Sequence, residues 1–213
     1  MPKKTGKRVR CSKCRGSFYD LGKSTKICPK CKESALIPDG GIAQVRMNIQ
    51  RGQFNDFENG WSGGLASKND SGSVFLKCKF EVIDGKYQGQ KFSSLIGLFS
   101  PKGPWWGNEG RKALRQILNS AYRLSDEDYS QSAIDLRRVD GLEAFDGLEF
   151  VAEIERKKGT DGVVRNEFKR AVGPDDPAYA NFSKMPTRAA GEKSECPSKK
   201  LQETPLWLAR VQS

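Results

Sequence analysis

Histidine is missing altogether from the 213 residues. Its absence removes the usual general base of nucleophilic and hydrolytic sites, and neither a phosphate-cradling P-loop nor a nucleophile elbow stands in its place. Apolar runs are short: none approaches the roughly 20 residues that a membrane helix needs. Residues 1–10 are basic, but no apolar segment follows them, so they do not read as a secretion signal. A cytoplasmic, reducing location is expected, with no membrane partner.

Acidic charge is the scarcer sign, 26 Asp and Glu against 37 Lys and Arg, a net +11. Residues 1–40 hold 11 basic and 3 acidic side chains, or +8, and the other 173 residues hold 26 and 23, or +3. A concentrated positive field draws phosphate polymers more strongly than a diffuse one, so nucleic acid is the expected partner. A basic arm kept for solubility is the plainer alternative. With 36% hydrophobic and 30% charged residues, the length suits one main core with a small satellite and polar tails.

Four of the six cysteines form two C-x-x-C pairs, Cys11-Ser12-Lys13-Cys14 and Cys28-Pro29-Lys30-Cys31. Each pair can aim two sulfurs at one ion, and the intervening segment is long enough for a short hairpin that completes a tetrahedron. The expected cofactor is one structural Zn²⁺, because four sulfurs leave no open coordination position. Two redox or disulfide pairs are the alternative, but no thioredoxin-like βαβ pattern surrounds them. The stretch Phe18-Tyr19-Asp20-Leu21 resembles a family of small bacterial zinc ribbons, which implies a ribbon fold over roughly residues 7–34. Cys78 falls on the apolar face of a strand and reads as core, and Cys196 as a lone thiol in a polar tail.

Residues 1–34 are thus read as a zinc ribbon and 35–41, with Pro38, Gly40 and Gly41, as a linker. Residues 42–50 alternate, with Ala43, Val45, Met47 and Ile49 on one side. A Gly-rich loop is expected over 52–72, then a strand over 73–84 that turns Val74, Leu76, Cys78, Phe80 and Val82 one way, and a returning strand over 91–99. The segment 101–107 reads as a loop, followed from about Asn108 by a helix with Leu114, Ile117, Leu118 and Ala121 on its apolar stripe. A short helix near 129–138 is read as an insertion, and strands over 148–156 and 163–172 follow. From Gly173 onward the sequence has no period. Domain limits of 42–182 and a disordered tail of 183–213 ending in the apolar cluster Leu206 to Val211 are expected.

Three strands, a helix and two strands is the element order of the OB-fold, so the expectation is a mainly β chain built on a five-stranded barrel of that kind. A small sandwich has the same elements. Such barrels bind oligonucleotides on their second and third strands and flanking loops. The candidate contacts are Phe75 with Lys77 and Lys79 on the outward strand face, Arg46 and Lys91 on its neighbours, Phe54 and Trp61 in the first loop, and Lys157 and Lys158 in the last. Phe75 has a second reading as a packed ring, and Trp105 and Trp106 read as structural. Residues 36–182 resemble phage and prophage proteins with OB-like cores found beside replication and recombination genes. That resemblance implies single-stranded DNA binding, with replication or recombination proteins as possible partners. An enzyme is not expected: Glu149, Glu153 and Glu155 share a strand face that reads as solvated. A ribbon adaptor for a polymerase or recombinase, and a duplex DNA or RNA binder acting through the ribbon, are the alternatives.

Overall fold

A computed structural model describes residues 7–12, 15–20, 28, 31 and 36–182. Two antiparallel strands, β1 (Lys7–Arg10) and β2 (Ser17–Asp20), form a separate hairpin. The remaining strands, β3 (Gly41–Gln50), β4 (Phe54–Asp56), β5 (Trp61–Lys68), β6 (Val74–Val82), β7 (Lys91–Phe99), β8 (Glu149–Lys158) and β9 (Val164–Ala171), make one sheet. Its members run β7-β6-β3-β8-β9, all antiparallel. β7 occupies one edge of β6. The other edge takes β3 at residues 77–82 and β5 at residues 74–76, so the β4–β5 hairpin continues the sheet where β3 ends.

The sheet curls because one face is apolar throughout. Met47 lies opposite Phe80, and Phe80 stacks on both Phe92 and Phe168 at 5.2 Å between ring centres while Phe150 meets it edge-on. One cluster of rings therefore joins β6, β7, β8 and β9, an arrangement that draws β9 toward β7. The Phe168 N–H donates to Ser94 Oγ at 2.7 Å across that approach. Cys78 is buried in the same core, as its alternation predicts, and burial pushes its thiol pKa far up.

Helix α1 (Trp105–Tyr122) packs on β7, β8 and β9 through the expected stripe of Leu114, Ile117, Leu118 and Ala121. It begins three residues earlier than the periodicity suggests, so Trp105 and Trp106 belong to its first turn. Gly97 and Gly110 let its backbone touch β7. The insertion after it contains α2 (Gln131–Arg137), capped by the Ser130 hydroxyl, which accepts from the Ala133 N–H. Buried Arg137 donates to Asn119 Oδ1 at 2.7 Å and to the Ser125 carbonyl at 2.6 Å, tying α2 to α1. A short 3-10 turn, Leu142–Phe145, places Leu142 and Phe145 in the core.

Two expectations change. The sheet has seven strands instead of five, because the supposed loop 52–72 holds β4 and β5. The segment after Gly173, aperiodic in sequence, packs on the core within the expected domain: Tyr179 is buried and its hydroxyl donates to the Ser120 carbonyl at 2.7 Å. The described part of the expected linker, residues 36–41, is built into the sheet and its core. Ile37 is buried in the core, its N–H donates to Asn166 Oδ1 at 2.9 Å, and its carbonyl accepts from Asn166 Nδ2 at 2.8 Å and Arg156 Nε at 2.8 Å. Residues 183–213, with Cys196 and the Leu206 to Val211 cluster, lie outside the described residues.

Candidate metal centre and sheet surface

Cys11 follows β1 directly and opens the turn of the β1–β2 hairpin. Arg15 adopts φ 57° and its N–H donates to the Cys11 carbonyl at 2.9 Å, while the Cys11 N–H donates to the Gly16 carbonyl at 2.8 Å. This tight turn directs Cys11 toward the second pair. The sulfurs of Cys11, Cys28 and Cys31 lie within 4.8 Å of one another, and Cys14 is outside the described residues. The Cys28 N–H donates to Cys11 Sγ at 3.3 Å, and the Cys31 N–H to Cys28 Sγ at 3.4 Å. Three sulfurs at this separation fit around one ion with Zn–S bonds of about 2.3 Å. The described residues therefore contain a three-cysteine cluster able to hold a metal ion.

On the curled sheet, the solvent side of β3, β6 and β7 carries three cross-strand rows: Gln50, Lys77 and Leu95; Asn48, Lys79 and Ser93; Arg46, Glu81 and Lys91. Lys77 and Lys79 are exposed, and among the described residues neither is ion-paired. The third row is neutralised. Arg46 bonds Glu149 at 2.5 Å, and Lys91 lies 3.2 Å from Glu81. At the β8–β9 turn, Lys157 lies 3.3 Å from Glu167 while Lys158 is exposed. Arg46, Lys91 and Lys157 are thus already partnered, each in an exposed pair that salt screens readily.

The aromatic candidates fare differently. Phe75 points outward as its alternation requires, but it is 9% exposed beneath Trp106, with ring centres 6.0 Å apart. Trp61 is 4% exposed and belongs to the core, because it opens β5. Neither ring presents a face for stacking a base. Phe54 is half-buried and already carries Lys68 Nζ at 5.1 Å from its ring. Among the described residues the strongly exposed rings are instead Tyr19, Phe57, Phe99, Trp105 and Tyr129. Trp105 reads as structural in the sequence, yet its ring is exposed, and Phe99, at the end of an apolar strand, carries no sequence signal of exposure.

Glu153, on the face of β8, is bonded to two cations. Lys169 Nζ lies 2.7 Å from it and Arg170 Nε 2.6 Å. The hydrogen bond from Lys169 leads in holding this carboxyl below the ordinary range, with Arg170 adding to it and burial opposing. The group is structural in its contacts. Among the described residues no helix is long and apolar enough to cross a membrane.

The class so defined is a mainly β, barrel-like protein with an N-terminal cysteine hairpin. Residues 1–53 match a family model described as a protein of unknown function (FYDLN_acid). The match runs through the cysteine hairpin, the built-in connector and β3, so it crosses the boundary expected at 34–41. No curated protein matches the chain.

Proposed function

We propose that this protein binds single-stranded DNA without sequence preference, through an OB-type barrel whose grip is strengthened by a cationic zinc ribbon. The connectivity is the observation that carries it. β3 pairs with both β6 and β8, β6 pairs with β7, β8 pairs with β9, and α1 lies between β7 and β8 in sequence. This is the strand order of the OB barrel, with β4 and β5 added inside its first loop. The surface of β3, β6 and β7 is the one such barrels use, and here it offers the ammonium groups of Lys77 and Lys79 beside the amides of Asn48 and Gln50. Those groups suit a phosphate backbone and the edges of unpaired bases. Zn²⁺ held by Cys11, Cys28 and Cys31, with Cys14 as fourth ligand, would fix the hairpin and leave its basic side chains outward.

The test is an affinity comparison of oligo-dT with duplex DNA across salt concentrations. The native chain is expected to prefer oligo-dT. Replacing Lys77 and Lys79 by Ala should weaken that binding and lower the slope of log K against log salt by about 1.4, because each phosphate contact to a single strand contributes about 0.7. Equal affinity for duplex at equal salt overturns the single-strand reading.

A further inference from the structure

The outward sheet surface ends in a groove of about 680 Å³ between the β4–β5 turn, the end of β7 and the start of α1. Its walls include Glu58, Trp61, Phe99, Pro104, Gly107 and Arg111. Phe57 and Trp105, adjoining wall residues Glu58 and Pro104, are 80% and 71% exposed, and Phe99 is 49% exposed. Phe99 is the exposed ring in the wall, and a ring exposed there is costly in water and suits a planar partner.

The polar side of the groove is equally specific. α1 is 18 residues long, has no side-chain cap at Pro104 and carries no acid in its first turn. Its first ladder bond runs from the Asn108 N–H to the Pro104 carbonyl at 2.9 Å, which leaves the N–H groups of Trp105, Trp106 and Gly107 ahead of the ladder. Such an end attracts anions. Independently, the indole N–H of Trp61, in the wall and 96% buried by its 4% exposure, has no acceptor among the described residues. A buried donor left without an acceptor costs stability unless a ligand supplies one. Arg111, bonded to Asn108, adds a cation to the same wall. Glu58 is the one carboxylate among the described wall residues.

We propose that this groove is a nucleotide site, with the phosphate at the α1 N-terminus beside Trp61 and Arg111 and the base against Phe99. It rests on the strand-binding reading only for the origin of the nucleotide, which is either one unit of a single strand or a free mononucleotide. Glu58 opposes the phosphate and limits affinity.

The experiment uses the full chain labelled with ¹⁵N and titrated with thymidine 5′-monophosphate, thymidine or inorganic phosphate, with oligo-dT binding followed in parallel. Thymidine 5′-monophosphate should move the Trp61 indole and Gly107 amide signals, and thymidine or phosphate alone should bind far more weakly. Phe99→Ala should weaken binding on the order of tenfold, the loss of one stacking ring. Glu58→Gln, which leaves the fold untouched, should tighten it. If the nucleotide leaves the groove signals in place, or if both variants bind it as the native chain does, the site is overturned, even where oligo-dT binding and its dependence on Lys77 and Lys79 persist. Groove shifts without oligo-dT binding would retain the site for free nucleotide and refute the strand reading.

Discussion

Where α1 crosses β7, two glycines meet with no room for a methyl group. A Cβ built on Gly110 would lie 1.6 Å from the Gly97 carbonyl oxygen, and one built on Gly97 would lie 2.6 Å from the Trp106 ring. Neither position has an unusual φ, so the requirement is close approach and not backbone conformation. Gly110→Ala must push the helix off the strand, and the cost should reach or exceed the ~1–3 kcal/mol typical of overpacking. A fall in the urea midpoint at unchanged m-value would register it; an unchanged midpoint would mean the crossing is looser than described. The same crossing explains why Phe75 was ambiguous in the sequence. Alternation correctly puts its side chain outward, but the ring that covers it comes from α1, and no local pattern reports what a distant helix lays over a strand. Lys77 and Lys79, which nothing covers, were legible from alternation alone.

At the scale of elements, the strands that alternate cleanly were readable and those built on glycine were not. β3, β6 and β7 stand within two residues of their expected limits because one face of each is apolar. β4 and β5 were hidden by Gly63 and Gly64, both at positive φ, and by the irregular register between Phe54 and Asp56, which erase the period of two. The connector was hidden for another reason: Pro38 and the paired glycines do make a turn, but Ile37 is held by Asn166, 129 residues away. The β8–β9 pair offers a test of how such cross-strand contacts carry stability. Lys169 and then Arg170 hold the Glu153 carboxyl below its ordinary pKa, so the folded state favours the ionised form. That contribution is complete above the unfolded pKa of about 4.3 and is lost as pH falls through it toward the depressed folded value. Glu153→Gln should therefore be less stable than the native chain near neutrality, and its unfolding free energy should fall less between about pH 6 and about pH 3. Parallel pH profiles for the two chains would contradict the assignment.

Across the whole molecule, charge and core are segregated. Among the described residues, the buried cluster of the curled sheet includes none from the cysteine hairpin, yet residues 1–40 carry +8 of the net +11. Lys7, Arg8 and Arg10 on β1 are at least partly exposed, and the connector fixes the chain to the barrel at Ile37, only a few residues beyond Cys31. A tether that short spans no more than ~20 Å. A strand lying on the barrel is then within reach of the hairpin, and the two cationic surfaces should act on it together. Replacing Lys7, Arg8 and Arg10 by Gln removes three charges without touching a cysteine, so metal content by elemental analysis should match that of the native chain. The salt slope for oligo-dT should drop by about 2, at 0.7 per lost contact. An unchanged slope with metal retained would mean that the hairpin faces away from the strand, and its basic surface would then be the one available to a protein partner.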